Sequence, residues 1–410
     1  MNAVPKKRIN TRRTVLGLGL AACALSVSGL ALAQKKYDTG ASDTEIKIGH
    51  IVPYSGPASA YGTVGKAMAG YFQMINDNGG VNGRKITFIS MDDGYNPAKT
   101  VEVSRKLVEQ DEVLLLVAPL GTAQNTAIVK YMNARKVPHL FLSTGATRFG
   151  DHKNFPWTMG WQPTYQAEGK IYAEHILKNK PDAKVAVIYQ NDDFGKDYLK
   201  GFLDGLGDKA KSMVVQQLSY EVTDPTIDSQ ILALKGSGAD TFFNITTPKF
   251  AAMAIRKVAE TGWKPTHYLA SVSQSIAGVL KPAGFDNATG VISVTYLRDP
   301  LDPRWKDAKE IADYKAWFEK YYPAGDIADQ LNVNGYSIGQ TLVETLKKAG
   351  DNLTRENIVK QAASLDMVLP MVYPGIPLKT APDDYYPLER MQPVRFNGTS
   401  WEPVGPVLGK

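Results

Sequence analysis

The chain has 410 residues, of which 43% are hydrophobic and 21% charged, with 36 glycines and 24 prolines. This near-average composition excludes a largely disordered, collagen-like or repetitive chain, and the length favours two domains or lobes. The formal charge of +6 falls to +1 without residues 1–33, which hold five basic residues and no acid, so charge gives no reason to expect nucleic acid or an anionic membrane as a partner.

Residues 1–33 are predicted to be a signal peptide. A basic stretch precedes an apolar run, 15–32, and Ala31-Leu32-Ala33 is the small-x-small pattern that signal peptidase cuts. We therefore expect an exported protein cleaved after Ala33. Arg12-Arg13 leaves a twin-arginine export route open beside the general one.

A lipoprotein acylated on Cys23 also remains an alternative, because Leu20-Ala21-Ala22-Cys23 resembles a lipoprotein box. Cys23 is the only cysteine of the sequence, so cleavage after Ala33 excludes disulfides, thiol catalysis and cysteine metal sites from the mature chain. After residue 33 no apolar run approaches the ~18 to 20 residues of a membrane helix. The mature protein is expected to be soluble.

From Glu45 onward, short apolar runs alternate with segments of helical period, which is typical of βαβ units on a parallel sheet. The first helix is predicted from apolar residues spaced 3, 1, 3, 1 and 3 apart between Val64 and Ile75. Asn96-Pro97, Asp224-Pro225 and Thr247-Pro248 predict helix starts, since a capping side chain precedes a proline. Strands are predicted at 46–52, 85–91, 113–118 and 139–143.

A second series of the same kind begins near Trp161. Its strands are predicted at 184–190, 213–218, 241–245 and 266–270. Two similar Rossmann-like halves would face one another across a cleft, which is the predicted ligand site. Helices are expected at 305–321 and 328–349, followed by a tail of loops and short strands from Leu369 that returns across the lobes.

Five segments, in order, resemble a known family. The resemblance is to the periplasmic solute-binding proteins of branched-chain amino-acid-type ABC transporters, and it covers nearly the whole mature chain. The tail at 380–405 is similar to a subset of that family that includes members binding aromatic or other carboxylates. The segments are IKIGHIVPYSGPASAYG (46–62), NDNGGVNGRKI (76–86), DDGYNPAKTVEVSRKLVEQD (92–111), APLGTAQNTA (118–127) and VAVIYQNDDFGKDYLKGF (185–202).

The resemblance implies an α/β fold of two Rossmann-like lobes with parallel-type sheets, the type I or "Venus flytrap" fold, joined by three crossover hinge segments. It places lobe 1 at 45–160 plus 297–368 and lobe 2 at 161–296 plus 369–410. It implies a receptor that holds a small hydrophobic or aromatic carboxylate, or a branched-chain-type amino acid, and delivers it to an inner-membrane ABC permease. No catalytic residue, cofactor, metal or nucleic acid is expected, and the near-neutral mature surface favours a monomer.

Eleven positions are predicted to bind the ligand. In the family, the loop at Gly121 and Thr122 holds a ligand carboxylate, and an aromatic at the position of Phe194 closes over the ligand. Backbone N–H groups and hydroxyls at helix starts suit carboxylates, while aromatic rings supply flat walls. Arg148 is a further candidate partner for a carboxylate. The eleven are Tyr61, Leu120, Gly121, Thr122, Gly145, Thr147, Tyr165, Phe194, Thr246, Ser271 and Ser273.

Two departures from the family matter. The loop at 270–274 has no carboxylate, whereas amino-acid binders carry an acid there for the α-ammonium, and an unpaired buried ammonium costs several kcal/mol. This favours an aromatic or other hydrophobic acid over a leucine-type ligand. Some members also bridge the loops around Tyr95 and Gly121 with a disulfide; both positions lack cysteine here.

Structural roles are the alternative for several of these residues. Thr122 and Thr147 suit helix caps, and the pairs Asp92-Asp93 and Asp192-Asp193 suit caps or solvated loops better than acid–base catalysis. The five histidines have no metal-ligand spacing. The sequence has no G-x-G-x-x-G after a predicted strand, no P-loop and no G-x-S-x-G, which weakens the interpretation as an enzyme. An exported α/β enzyme remains the alternative in a different class, and a sensor subunit for a membrane kinase is another.

Overall fold

A computed structural model describes residues 1–5 and 35–409. The apolar run of the predicted signal peptide, Cys23 and the predicted cleavage site after Ala33 lie outside the described residues. The unit formed by residues 36–410 holds the secondary structure reported below. Within the described part of the chain, no helix is long and apolar enough to cross a membrane.

Strands and helices alternate along most of this unit. The strands are β1 Lys36–Tyr37, β2 Glu45–Val52, β3 Lys85–Asp92, β4 Leu115–Val117, β5 His139–Leu142, β6 Thr158–Gly160, β7 Val185–Gln190, β8 Val214–Tyr220, β9 Thr241–Ile245, β10 Thr266–Leu269, β11 Ile292–Thr295, β12 Asn352–Leu353, β13 Asp366–Met367, β14 Leu378–Lys379, β15 Arg390–Phe396, β16 Trp401–Pro403 and β17 Leu408–Gly409.

The helices are α1 Gly62–Asp77, α2 Pro97–Glu109, α3 Thr122–Ala134, α4 Tyr165–Asn179, α5 Asp193–Leu206, α6 Ala210–Met213, α7 Asp228–Gly236, α8 Pro248–Glu260, α9 Lys281–Ala283, α10 Phe285–Ala288, α11 Lys309–Tyr321, α12 Leu331–Ala349 and α13 Arg355–Ala362. Short 3₁₀ turns at Ser59–Tyr61, Thr147–Gly150 and Ser271–Ser273 lie beside the site described below.

Local capping chemistry sets some of the helix starts. The Asn96 side chain accepts hydrogen bonds from the first turn of α2, as predicted, and Pro248 opens α8, but the Thr247 side chain does not cap that helix. The start predicted at Asp224-Pro225 is wrong, because α7 begins at Asp228. Asp224 instead accepts a hydrogen bond from the Glu221 backbone at 2.9 Å and closes a turn, which satisfies the side chain without a helix.

Two sheets form the framework. The first has the order β3-β2-β4-β5-β6 and is parallel throughout. The second runs β8-β7-β9-β10-β11 in parallel, and β11 then pairs antiparallel with β15, which carries β16 and β17. The two-lobed α/β fold with parallel sheets is therefore confirmed, and the tail adds antiparallel strands to the second sheet.

The chain passes between the two sheets at three places that pack together. Trp161, after β6, lies edge-to-face on Tyr296, after β11, with ring centroids 6.0 Å apart. The Trp161 indole also donates a hydrogen bond to Thr341 of α12 at 3.0 Å. At the third passage the Tyr373 N–H donates to the Tyr296 carbonyl at 2.8 Å. These contacts hold the crossover segments against one another, between the two lobes.

The residue bounds given above for the two lobes stay a prediction. Helix α12 packs on α1, so close that a Cβ on Gly335 would lie 2.3 Å from the Val64 carbonyl oxygen. Between β14 and β15, the Tyr385 and Tyr386 hydroxyls bond the Pro156 and Thr147 carbonyls beside the first sheet. The tail therefore contacts first-sheet loops before β15 enters the second sheet.

Three histidines are fully buried in this framework. His50 Nδ1 lies 2.9 Å from the Val117 carbonyl oxygen, His139 Nε2 lies 2.7 Å from Asn125 Oδ1, and His267 lies 3.2 Å from the Asn244 amide. Burial lowers the pKa of His50 to about 4, although the hydrogen bond to Val117 opposes it. Burial also lowers the pKa of His139 and of His267 to about 3.

We expect the free energy of unfolding to fall as the pH drops from about 6.5 towards 4, because the unfolded chain takes up protons at these imidazoles and the folded chain does not. Each histidine adds a slope of at most about 1.4 kcal/mol per pH unit. Urea unfolding at several pH values gives the free energy of unfolding at each pH. Its change per pH unit should be smaller for His139→Gln than for the wild-type protein. Equal slopes would contradict a neutral, buried His139.

Candidate ligand-binding site

A cavity of about 690 Å³, including the space at its mouth, lies where strand ends of both sheets meet. Its walls come from loops after β3, β4 and β5 of the first sheet, from loops after β9, β10 and β11 of the second, and from the starts of α1, α4, α5 and α12. Carboxyl ends of parallel strands are where α/β sheets hold ligands. The lining residues are Tyr61, Val64, Tyr95, Leu120, Gly121, Thr122, Ser143, Gln162, Tyr165, Phe194, Thr247, Ser271, Val272, Gln274, Ser275, Tyr296, Leu297, Gln330, Leu331 and Asn334.

Helix α3 begins at this cavity without a side-chain cap. Gly121 occupies the capping position, and the Thr122 hydroxyl pairs with the Thr144 hydroxyl at 2.7 Å instead of capping the helix. In contrast, Thr164 caps α4 and Asp192 caps α5. The first N–H groups of a helix need partners and favour negative charge, so the start of α3 suits a ligand carboxylate.

Gly121 is required by the geometry of this loop. Its φ is +105°, a backbone conformation that residues with a side chain rarely adopt. A Cβ at this position would lie 3.0 Å from the ring of Tyr95 and 2.2 Å from Gln124 Oε1. The glycine therefore lets the backbone come close to the Tyr95 wall of the cavity.

Aromatic side chains line the cavity, and one of them, Tyr61, bonds across it to the other lobe. The Tyr165 and Phe194 rings lie edge-to-face with centroids 5.3 Å apart, and the Tyr61 hydroxyl donates to the Val272 carbonyl at 3.3 Å. Burial raises the pKa of Tyr165 to about 12 and that of Tyr61 well above its ordinary value. Both phenols are therefore neutral near pH 7 and present flat, weakly polar walls.

None of the described residues that line the cavity carries a formal charge. The buried Glu168 lies one layer behind, where it accepts hydrogen bonds from the Ser271 N–H and hydroxyl at 2.8 and 2.7 Å. The Tyr172 and Tyr198 hydroxyls donate to it as well, each at 2.8 Å. Burial raises the pKa of Glu168, and the hydrogen bonds from Ser271 oppose this.

Two further, partly buried carboxylates behind the lining are also engaged. Asp192 accepts from the Phe194 and Gly195 N–H groups, and Asp329 accepts from Ser275 and from the Leu331 N–H. Burial raises the pKa of both. An ammonium group in the cavity would therefore find no carboxylate on the lining itself.

The sequence profile of the periplasmic binding proteins matches residues 45–398. The chain belongs to this family. A relative, Leu/Ile/Val-binding protein homolog 1 of Brucella suis, is 24% identical over 336 residues, which cover 80% of this chain and 85% of that protein. This periplasmic binding protein is therefore of type I and similar to the Leu/Ile/Val-binding proteins.

Solved structures share its fold at low sequence identity. A branched-chain amino acid ABC transporter protein from Thermus thermophilus with bound valine matches with a TM-score of 0.81 and 16% identity, covering 90% of this chain and 98% of that one. A solute-binding protein of an ABC transporter from R. palustris in complex with benzoate matches with a TM-score of 0.76 and 20% identity, covering 89% and 98%.

The structure brings seven of the predicted residues to the cavity of this binding protein: Tyr61, Leu120, Gly121, Thr122, Tyr165, Phe194 and Ser271. Four lie off its lining, and their polar groups bond to other parts of the protein. Gly145 sits behind Tyr165 and accepts its N–H at 2.7 Å, while the Thr246 hydroxyl donates to Asn244 and the Ser273 hydroxyl to the Thr246 carbonyl. The Thr147 hydroxyl donates to Asp197 at 3.0 Å. Ligand contact by the seven stays a prediction.

Arg148 and the acidic pairs have other partners. Arg148 lies half-exposed, 3.4 Å from Asp193, and is not on the lining. Asp92 and Asp93 hold the loops around them, and Asp192 caps α5, as expected for structural roles. Among the described residues, no group of three or more His, Cys, Asp or Glu is placed to hold a metal.

Several lining residues were missed from the sequence. Ser143 ends a predicted strand, so its place at a strand end was a usable signal, and Gln274 lies in a loop already singled out for lacking an acid. Tyr296 follows a strand that was not predicted. Gln330 and Asn334 lie at the start of α12, which packs on α1 through contacts distant in sequence. No local pattern could have placed those two.

Polar contacts join the lobes at the rim of the cavity. Asp197 of α5 accepts from the Thr147 N–H at 2.8 Å and from its hydroxyl at 3.0 Å, both on the first-lobe side. Asp193, also on α5, accepts from Thr126 at 3.1 Å and pairs with Arg148. Contacts of this kind exist only while the lobes are together.

We expect Asp197→Ala to weaken ligand affinity by about 10-fold, because a charge-assisted hydrogen bond contributes about 1.5 kcal/mol to the closed form that ligand also requires. Asp204→Ala is the matched control, since Asp204 lies on the same helix and pairs only locally with Lys200. Titration calorimetry with one verified ligand measures both. Equal affinities for the two variants would contradict a role for Asp197 in closure.

Proposed function

We propose that this protein is an exported periplasmic receptor that captures a small carboxylate with a hydrophobic or aromatic body between its lobes and presents it to an inner-membrane ABC permease. The observation that carries the proposal is the charge-free, tyrosine-rich cavity with the uncapped start of α3 on its wall. Valine and benzoate, bound by the two solved relatives, both carry a carboxylate. The missing acid on the lining favours an acid without an ammonium group over a branched-chain amino acid.

Closure is the proposed working step. The ligand would touch Thr122 from one lobe and Phe194 from the other, so full contact exists only when the lobes are together. Ligand therefore shifts the population towards the closed form, and a permease that recognises the closed shape engages loaded receptors in preference to empty ones. The function is binding and release without chemical change of the ligand.

Export completes the proposal. The leader 1–33 directs the chain out of the cytoplasm, and cleavage after Ala33 leaves a mature protein that starts at Gln34. The family is periplasmic by its name, which supports this location.

We expect benzoate, phenylacetate and hexanoate to raise the melting temperature more than leucine or valine do. A ligand at 100 times its Kd stabilises the native state by about 2.7 kcal/mol, which a thermal-shift screen detects. Benzamide and benzyl alcohol are the controls, because they keep the ring and lack the carboxylate. Micromolar binding of leucine with none of the aromatic acids would reverse the ligand order.

We also expect affinity for a carboxylate to rise as the pH is lowered and Glu168 becomes protonated. An anion in the cavity disfavours the ionised form of Glu168 behind Ser271, so its pKa rises further and binding takes up protons. Glu168→Gln should remove this dependence. Calorimetry in two buffers of different ionisation enthalpy measures the uptake, and proton release on binding would indicate a cationic group in the ligand.

A further inference from the structure

Most polar side chains on the cavity lining already have partners. Their hydrogen bonds run to other protein groups, which leaves these side chains little capacity for a ligand. The pairs are Tyr61 with Val272, Thr122 with Thr144, Thr247 with Gln190, Ser271 with Glu168, Ser275 with Asp329, Gln330 with Thr295 and Asn334 with Tyr296.

Two polar side-chain atoms of the lining have no such partner. Among the described residues that line the cavity, Ser143 Oγ and Gln274 Oε1 are buried and have no hydrogen-bond partner. Only 8% of Ser143 and 5% of Gln274 is exposed, so water is largely excluded from both. A buried polar group left unpaired costs about 1–3 kcal/mol, and a ligand that pairs with it recovers this free energy.

The two atoms belong to opposite lobes. Ser143 follows β5, and its carbonyl accepts the Gly121 N–H at 3.3 Å, so its hydroxyl belongs to the same wall as the start of α3. Gln274 follows β10, and its backbone carbonyl is held by the Trp401 indole at 3.0 Å. The main chain at both positions is therefore fixed, while the Ser143 hydroxyl and the Gln274 side-chain amide are left uncommitted.

Their chemistry differs as well. A serine hydroxyl can donate to a carboxylate, whereas an amide oxygen only accepts. The ligand group that pairs with Gln274 Oε1 is therefore a hydrogen-bond donor. A neutral donor fits, because no charged side chain among the described residues lines the cavity to balance an ammonium group.

We propose that Gln274 is a specificity-determining residue, and that the ligand is a hydroxylated carboxylic acid whose carboxylate lies at Ser143 and the start of α3 while its hydroxyl donates to Gln274 Oε1. The proposal rests on the proposed function and deepens it. A site that pairs a ligand hydroxyl with a buried polar group discriminates strongly against the analogue without it, because that group is then left unpaired.

The test is titration calorimetry with benzoate, its three monohydroxy isomers and the three methoxy analogues, which can accept a hydrogen bond but cannot donate one. For the wild-type protein we expect one hydroxybenzoate to bind at least ~10-fold more tightly than benzoate and than its own methoxy analogue. In Gln274→Leu, that isomer and benzoate should bind within about twofold of one another. Ser143→Ala should weaken all the acids by a similar factor and keep their ratio.

Gln340→Leu is the matched control, since Gln340 Oε1 is also buried and unpaired but lies on α12 away from the lining. It should keep the wild-type preference. Melting temperatures without ligand report folding of each variant, and Gln274→Met replaces Gln274→Leu if the latter does not fold.

Each outcome decides the matter. Binding of benzoate with no tighter hydroxylated isomer, a preference that survives in the Gln274 variant, or equal binding of the methoxy analogue would overturn the role of Gln274 and leave the proposed receptor standing. If the wild-type protein binds none of these acids and none of the wider acid panel, the proposed ligand class fails and this inference fails with it.

Discussion

A charge that leaves water must find its partner inside the protein, and the cleft between the lobes is arranged around that requirement. The lining holds no charged residue among those described, and the carboxylates behind it are engaged by hydroxyls and backbone N–H groups. The unpaired groups of the lining include the start of α3, where the backbone itself is the donor. In the proposed receptor, selection for an anionic head group comes from this main-chain geometry, which Gly121 makes possible.

The lobes are coupled through two different sets of contacts. At the crossovers, Trp161 and Tyr296 pack in the interior, where their burial holds whichever arrangement the lobes take. At the rim, the partners of Asp193 and Asp197 are exposed or half-exposed polar groups, and such contacts are cheap to exchange for water. In the proposed mechanism, the buried contacts at the crossovers persist, while the polar contacts at the rim break and re-form as the lobes open and close.

Much of the fold could be predicted from the sequence because its determinants are local. The buried runs at β2 and β9 and the capping pair at Asn96-Pro97 carry their own signals. The failure at Asp224-Pro225 has a local cause too, because the same side chain serves a turn or a helix and the chain that follows decides. The antiparallel pairing of β15 with β11 joins segments about a hundred residues apart, which no local pattern reports.

The site could be predicted where its residues follow strand ends. It could not be predicted where the hydrogen bonds of a side chain determine whether the residue faces the cavity. Thr122 and Phe194 were placed by the resemblance and lie on the lining. Thr246 and Ser273 lie in the right loops, but their hydroxyls are consumed by Asn244 and by a backbone carbonyl. Whether a hydroxyl faces a ligand or a neighbour depends on its side-chain rotamer, which the sequence does not encode in any readable pattern.

The pairing of β15 with β11 also bears on the biogenesis of the protein. Strand β11 acquires its outer neighbour only when residues 390–409 are available, so the second lobe cannot complete its sheet while the ribosome is still producing them. Folding of the second lobe therefore depends on a contact between segments about a hundred residues apart in the sequence.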